Sequence, residues 1–255
     1  MFMIAGKPIP QGRLPFDARV EPPHLGLAPG SAMARHIPAR SYRRTMPGWF
    51  PTSKSQARIL RVETILELDG VALFEVDPAF VQLATQPHEL RYSDPNRGWL
   101  LTRYFPDLIA LRSDGQVVVV DFKNDADARS SRWRARSAIV SEIYQSLNVM
   151  FVTLSQSVVR REPRFSNQKL LLRHRPSGSP IDIEAEAMIW RRLGANPVSG
   201  TPLGELLGRD NLAPGSCAES PAFTTFAQLV LKGHLAIDLN QPITPESIVR
   251  ARRQS

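Results

Sequence analysis

The sequence predicts an α/β protein, a mixed β-sheet with helices on its faces, followed by a smaller helical domain. Three observations predict it. The run QVVVVDF (116–122) is β-branched and continuously apolar, as in a central strand covered on both sides. Stretches with helical spacing of apolar residues lie before and after it, at 62–76 and 130–147. Beyond residue 160 the strand pattern gives way to polar sequence with Gly and Pro, and then to further helical stripes.

In VETILELDGVALFEVDP (62–78) apolar residues recur at Ile65, Leu68, Ala72 and Leu73, a helical stripe that Asp77-Pro78 ends. Gly70 weakens this helix by ~1 kcal/mol relative to Ala. AFVQLATQP (79–87) reads as a short strand closed by Pro87. GWLLTRYFPDLIALR (98–112) reads as a second strand, with Pro106 marking an edge or a bulge. Ser113-Asp114-Gly115 is a turn into the central strand. SSRWRARSAIVSEIYQSL (130–147) is a helix capped by Ser130 or Ser131, and VMFVTLS (149–155) is another buried strand. RREPRFSNQKLLLRHRPSGSP (160–180) reads as a linker. Helices follow at 181–194, 201–208 and 221–233, then strand-like HLAIDL (234–239) and QPITPESIV (241–249). The expected organisation is an arm over 1–45, a sheet domain over 46–160, a linker over 161–180 and a helical domain over 181–255.

Composition limits the function classes. With 42% hydrophobic and 22% charged residues in 255, the chain has the balance of a soluble globular protein with ample core. Its apolar runs fall far short of the ~20 residues a bilayer requires, so no membrane role is expected. The Pro-rich start MFMIAGKPIPQGRLPF does not resemble a signal peptide. A single cysteine, Cys217, excludes an internal disulfide and fits a reducing cytoplasm. Five scattered histidines give no zinc spacing. A net charge of +8 and a pI near 10.2 point to a polyanionic partner, most simply nucleic acid. The charge is uneven: from Pro22 through Val62 there is no Asp or Glu, but Arg35, Arg40, Arg43, Arg44, Lys54, Arg58 and Arg61 are present. Prolines exclude a long helix there, and the span reads as an extended basic arm ordered by what it lies against. Tyr42, Trp49 and Phe50 argue against a disordered tail in its second half.

The central strand ends on Asp121, Phe122 and Lys123. Alternation puts Asp121 and Lys123 on one face with Val117 and Val119, and Val118, Val120 and Phe122 on the other. The turn at 113–115 brings Asp107 back toward Asp121, in a register the sequence does not fix. Two carboxylates converging at a strand end are the hard oxygen donors that Mg²⁺ takes, and a neighbouring lysine can hold a water against a phosphate. That chemistry is phosphodiester hydrolysis; the bland alternative is a strand reaching solvent. Arg129, Arg132, Arg134 and Arg136 surround Trp133 at the start of the next helix, as a solvated face or as phosphate contacts.

Pro106-Asp107, a turn, then Asp121-x-Lys123 is similar to the pattern of the PD-(D/E)xK nuclease superfamily, whose fold is restriction-endonuclease-like. The flanks extend the likeness. Arg40-Ser41-Tyr42-Arg43, Gly48-Trp49-Phe50-Pro51-Thr52-Ser53-Lys54, Glu63-Thr64-Ile65-Leu66-Glu67-Leu68-Asp69, Asp77-Pro78 and Gln86-Pro87 resemble, in order and spacing, the TnsA-like endonucleases. These are strand-cleaving subunits of heteromeric transposases, and the resemblance covers roughly residues 35–155. It implies metal-binding roles for Glu63, Asp107 and Asp121, a catalytic role for Lys123 and a supporting one for Gln86. Glu67 rivals Glu63, because residues four apart share a helical face. Asn124 departs from the family, where a proline is frequent.

The resemblance further implies a Mg²⁺-dependent endonuclease, with Mn²⁺ as substitute, cutting the non-transferred strand at the 5′ ends of a transposon. Its partners would be double-stranded DNA, a DDE-type transposase subunit and an ATPase regulator, in a bacterial, nucleoid-associated setting. The basic residues Arg40, Arg43, Arg44, Lys54, Arg129, Arg132, Arg134 and Arg136 would contact the DNA. The C-terminal helices resemble a winged-helix module for a partner protein or DNA. Two alternatives stand beside this: an independent restriction or repair nuclease, and a non-catalytic binding module on the same fold.

Overall fold

A computed structural model describes residues 14–37, 46–176, 181–194, 199–208 and 220–252, with the backbone of Met3–Ile4 and Lys7–Pro8. Arg40, Arg43, Arg44 and Cys217 therefore lie outside the described residues. The chain divides into one unit of Met1–Glu75 and Ala79–Val159 and another of Val76–Pro78 and Arg160–Ser255. The architecture is mixed α/β, with several sheets and eight α-helices among the described residues.

The first unit begins with a small antiparallel pair, β1 (Met3–Ile4) and β2 (Lys7–Pro8), and then β3 (Arg19–Glu21). A hairpin follows, β4 (Gly48–Pro51) and β5 (Ile59–Val62), and then helix α1 (Ile65–Val76). Next come β6 (Phe80–Thr85), β7 (Glu89–Asp94), β8 (Leu100–Tyr104), β9 (Leu108–Arg112) and β10 (Val117–Lys123). Helices α2 (Asp125–Arg129) and α3 (Ser131–Ser146), strand β11 (Met150–Ser155) and the short α4 (Gln156–Val159) complete it.

The main sheet has the order β11-β10-β9-β6. The pairing of β10 with β11 is parallel, across the α2–α3 crossover, and the other pairings are antiparallel. As its four valines require, β10 is buried on both faces. Val117 and Val119 join a core with Ile139, Val140, Ile143 and Tyr144 of α3. On the opposite face Phe122 meets Phe74 of α1 edge-on, with ring centroids 6.5 Å apart.

The expected strand over 98–112 is in fact two strands. Phe105–Asp107 breaks it at Pro106, so that β8 pairs with β7 in a separate sheet of order β3-β7-β8 while β9 enters the main one. Proline has no N–H for a ladder, and here the chain changes sheets at that point. The N-terminal arm is also partly a sheet element: β3 pairs with β7, and Leu25 and Ile37 are fully buried. Its apolar residues Ala18, Val20, Leu25 and Leu27 belong to the α3-side core, which is why it is not a free tail. The expected helix at 62–76 starts later, because Val62 is taken by β5 and Thr64 accepts the Glu67 N–H as a cap.

In the second unit the stretch expected as a linker carries helix α5 (Arg164–Arg173). Leu171 and Leu172 are buried, and the Asn167 amide donates to the carbonyls of Leu239 and Gln241. Helices α6 (Ile183–Leu193), α7 (Leu203–Leu207) and α8 (Pro221–Leu231) follow the predicted positions. A small sheet of order β12 (Thr201–Pro202), β14 (Ile248–Ala251), β13 (Leu235–Ala236) stands beside them. Phe223 and Phe226 of α8 form its centre, and His174 donates to or accepts from Thr224 at 2.9 Å.

Gly70 reverses the ordinary helix preference. A Cβ at this position would run into the Phe122 ring. Gly70→Ala gains ~1 kcal/mol of helix propensity but overpacks the α1–β10 contact, which typically costs about 1–3 kcal/mol. The variant is expected to unfold at lower denaturant than the wild type with an unchanged m-value. A midpoint raised by the substitution would mean that α1 is free to move off the sheet.

Candidate active site

The register of β9 and β10 builds the site. The last ladder pair is Val120 with Leu108. One step further stand Asp121 and Asp107, where the ladder ends and the side chains take over. The Asp107 N–H donates to Asp121 Oδ1 at 3.3 Å, and the Phe122 N–H donates to Asp107 Oδ2 at 2.8 Å. Each carboxylate is thus fixed by a backbone N–H from the facing segment, Asp121 by that of Asp107 and Asp107 by that of Phe122. Lys123 lies beyond them on the same face as Asp121. Its Nζ is 3.1 Å from Asp121 Oδ2 and 3.6 Å from Asp107 Oδ2. Nζ also sits 4.6 Å from the centre of the Trp133 ring, whose Nε1 donates to the Thr153 hydroxyl of β11. The indole face thereby helps to fix where the ammonium lies.

Charge in this cluster is strongly coupled. Burial, and then the Asp121 charge, push the Asp107 carboxyl well above the usual carboxylate range, against the pull of Lys123. Burial works against the Lys123 ammonium, but Asp121 and Asp107 outweigh it and hold its pKa above the ordinary value. Two phenols lie in the core with Val117 and Val119, on the strand face that carries Asp121. Burial and Asp121 raise both Tyr104 and Tyr144 well above a normal phenol.

The two carboxylates at the start of α1 make different contacts. Glu63 precedes α1, and Arg35 takes its Oε1 at 2.8 Å. Glu67 is buried at the start of α1, accepting the Glu63 N–H at 2.8 Å and the Thr64 hydroxyl at 3.0 Å. It completes a reciprocal helix cap with Thr64. Burial, only partly offset by these bonds and by the Lys123 charge, raises its pKa. The charge of Glu67 acts on both Asp107 and Lys123. Glu67 was legible only as a rival, because helical spacing does not say which turn faces the sheet.

Gln86 is fully buried with a left-handed backbone at φ 46°. Its N–H donates to the Asp107 carbonyl and its carbonyl accepts from Ala34, while neither polar side-chain atom has a partner among the described residues. It supports Asp107 through its backbone. Lys54 is committed elsewhere: Nζ donates to the Phe74 carbonyl at 2.7 Å, placing the charge at the C-terminal end of α1. Arg129 and Arg134 are exposed, and Arg132 and Arg136 line a pocket with Arg97.

No group of three or more His, Cys, Asp or Glu side chains able to share a metal occurs among the described residues. Asp107 and Asp121 are a two-carboxylate donor set, hard and anionic, with Lys123 compensating them. Their mutual repulsion is what a divalent cation relieves, so these residues fit Mg²⁺ or Mn²⁺ with the remaining positions left to water or phosphate. No helix among the described residues is long and apolar enough to cross a membrane. The chain matches no protein-family model and no curated protein.

Sequence reading missed a buried chain beneath the site. His88 Nδ1 faces the Leu25 carbonyl at 3.2 Å, so that nitrogen carries the proton and Nε2 accepts from the Tyr144 hydroxyl at 2.5 Å. No local pattern marks His88, since its partners lie far away in sequence. Burial lowers its pKa to about 3, from 6.5 in an unburied ring. Below 6.5 the unfolded chain takes up a proton that the folded His88 refuses. Stability from this residue is therefore lost as pH falls from 6.5 toward 3, by about 1.4 kcal/mol near pH 5.5. Unfolding midpoints at about pH 7.5 and 5.5 test this. The wild type is expected to lose that much more than His88→Gln, and equal losses in the two proteins would refute it.

Proposed function

We propose that this chain is a metal-dependent DNA endonuclease, with a restriction-endonuclease-like first unit, acting as the strand-cleaving subunit of a heteromeric transposase. The observation that carries the reading is the convergence of Asp107, Asp121 and Lys123 at the end of β9 and β10. A mixed sheet with α1 and α3 on its two faces supports the fold reading. Asp107 and Asp121 would hold the cation, and Glu67 is the helical carboxylate best placed to assist them. A bound Mg²⁺ supplies a polarised phosphate and a more acidic water. Lys123, held against Trp133, would orient that water and offset charge developing on the phosphate. Double-stranded DNA, a DDE-type transposase and an ATPase regulator are the proposed partners. The helices and small three-stranded sheet of the second unit support a winged-helix reading, for docking a partner or DNA.

A second reading has its own observation. Lys123 already bridges the pair, and Glu67 already caps a helix, so a non-catalytic DNA-binding module is served by the same contacts. Single-turnover cleavage of labelled transposon-end DNA, with the partner transposase present, separates the two. Asp107→Ala and Asp121→Ala are expected to abolish cleavage while leaving DNA binding intact. Lys123→Ala should keep Mn²⁺ binding in calorimetry and lose cleavage by a factor on the order of 10²–10³. No strand-specific cleavage by the wild type under these conditions would overturn the enzyme reading. Efficient, sequence-specific cutting by the chain alone would favour an independent nuclease.

The helical carboxylates give a further test. Gln at position 67 keeps the cap but removes the charge. Glu67→Gln is expected to slow cleavage more than Glu63→Gln at matched folding stability. The reverse order would return the role to Glu63.

A further inference from the structure

The β7–β8 hairpin presents an unusual tip. Asp94 ends β7 and its Oδ1 accepts the Asn96 N–H. A single 3-10 turn over Pro95–Arg97 is closed by Gly98 at φ 65°. Trp99 is then also left-handed, at φ 63°, and donates its N–H to the Asp94 carbonyl at 2.8 Å. Bulky residues seldom adopt this conformation. Trp99, Leu100 and Leu101 are 64%, 58% and 70% exposed. Three consecutive large apolar side chains in water mark an interaction surface.

Behind the tip lies a pocket of about 440 Å³, lined by Arg97, Arg132 and Arg136 together with Asp94, Asn96 and Thr102. Three arginines and one aspartate are among the residues that line it, and the Asp94 carboxylate already accepts the Asn96 N–H. Arg97 and Arg132 make no ion pair among the described residues. Arg136 donates to the Arg103 carbonyl at 3.0 Å and lies 5.2 Å from the centre of the Tyr104 ring. Tyr104 in turn feels the Asp121 carboxylate.

We infer that this hairpin and pocket form a grip on duplex DNA: the arginines seat one backbone phosphate and the apolar tip presses into the adjoining groove. The inference rests on the nuclease reading for its choice of polyanion. Charge favours DNA, because the pocket takes an anion while the chain as a whole carries +8. The tip favours it too, since apolar side chains beside phosphate-binding arginines are the means by which proteins wedge into a groove. An acidic protein partner is the competing occupant.

The test uses the full chain without divalent metal, a fluorescein-labelled duplex and anisotropy over a series of NaCl concentrations. Arg97→Ala is expected to reduce the slope of log K against log salt by about 0.9 and to weaken binding about fivefold at about 0.15 M salt. Trp99→Ala combined with Leu101→Ser should weaken binding with the slope unchanged, because apolar contacts release no counterions. Variants that bind DNA as the wild type does overturn the inference. So does loss of transposase co-purification with DNA binding intact, which would assign the tip to a protein. A wild type that binds and cuts, with variants binding equally well, sinks the grip alone. Binding with the expected variant losses but no cutting sinks the nuclease reading and leaves the grip standing.

Discussion

The first unit is organised by a strand that has no exposed face. With α3 against Val117 and Val119, and α1 against Phe122, β10 can meet water only at its ends. Polar groups are costly anywhere else along it. At its C-terminal end the chain concentrates Asp121 and Lys123, and the antiparallel partner contributes Asp107. Each carboxylate is hydrogen-bonded to the neighbouring backbone before any ligand arrives. The same geometry that forbids charge along the strand makes its end a small, rigid and highly charged platform.

Within that platform one ammonium serves two carboxylates. A surface ion pair of this kind contributes little, but here the groups are largely withdrawn from water, and removing one partner leaves the others uncompensated. Trp133 adds a second constraint on Lys123 from α3, and Thr153 fixes the indole from β11. The positions of the charges are therefore set by β10, by the short break that leads into β9, and by β11 and α3 through Trp133.

Much of this was legible in local sequence. Four valines announced a strand buried on both faces, period-two alternation paired Asp121 with Lys123, and Ser130 caps α3 as its position suggested. What was not legible depends on partners distant in the chain. Nothing in GWLLTRYFPDLIALR says that its halves enter different sheets; that follows from β7, which pairs with β8 and with the remote β3. The stretch at 160–180 looked like a linker because its apolar stripe is short, yet α5 forms where Leu171 and Leu172 find a core. Basic residues were the least legible. Lys54 is a helix-end ligand, and Arg97, absent from the sequence-based set, lines the pocket with Arg132 and Arg136.

The bond from His88 to the Leu25 carbonyl, with Tyr144 on the other side of the ring, has a consequence in time. Leu25 is made well before α3, whose residues complete the core around it. At about 5–20 residues per second, a ribosome leaves this segment waiting for on the order of ten seconds. The edge of β3 waits for β7 and Leu25 waits for α3, and an unpaired apolar edge is prone to join another chain. The pace of synthesis between Leu25 and the end of α3 therefore sets how long this apolar segment stays uncovered.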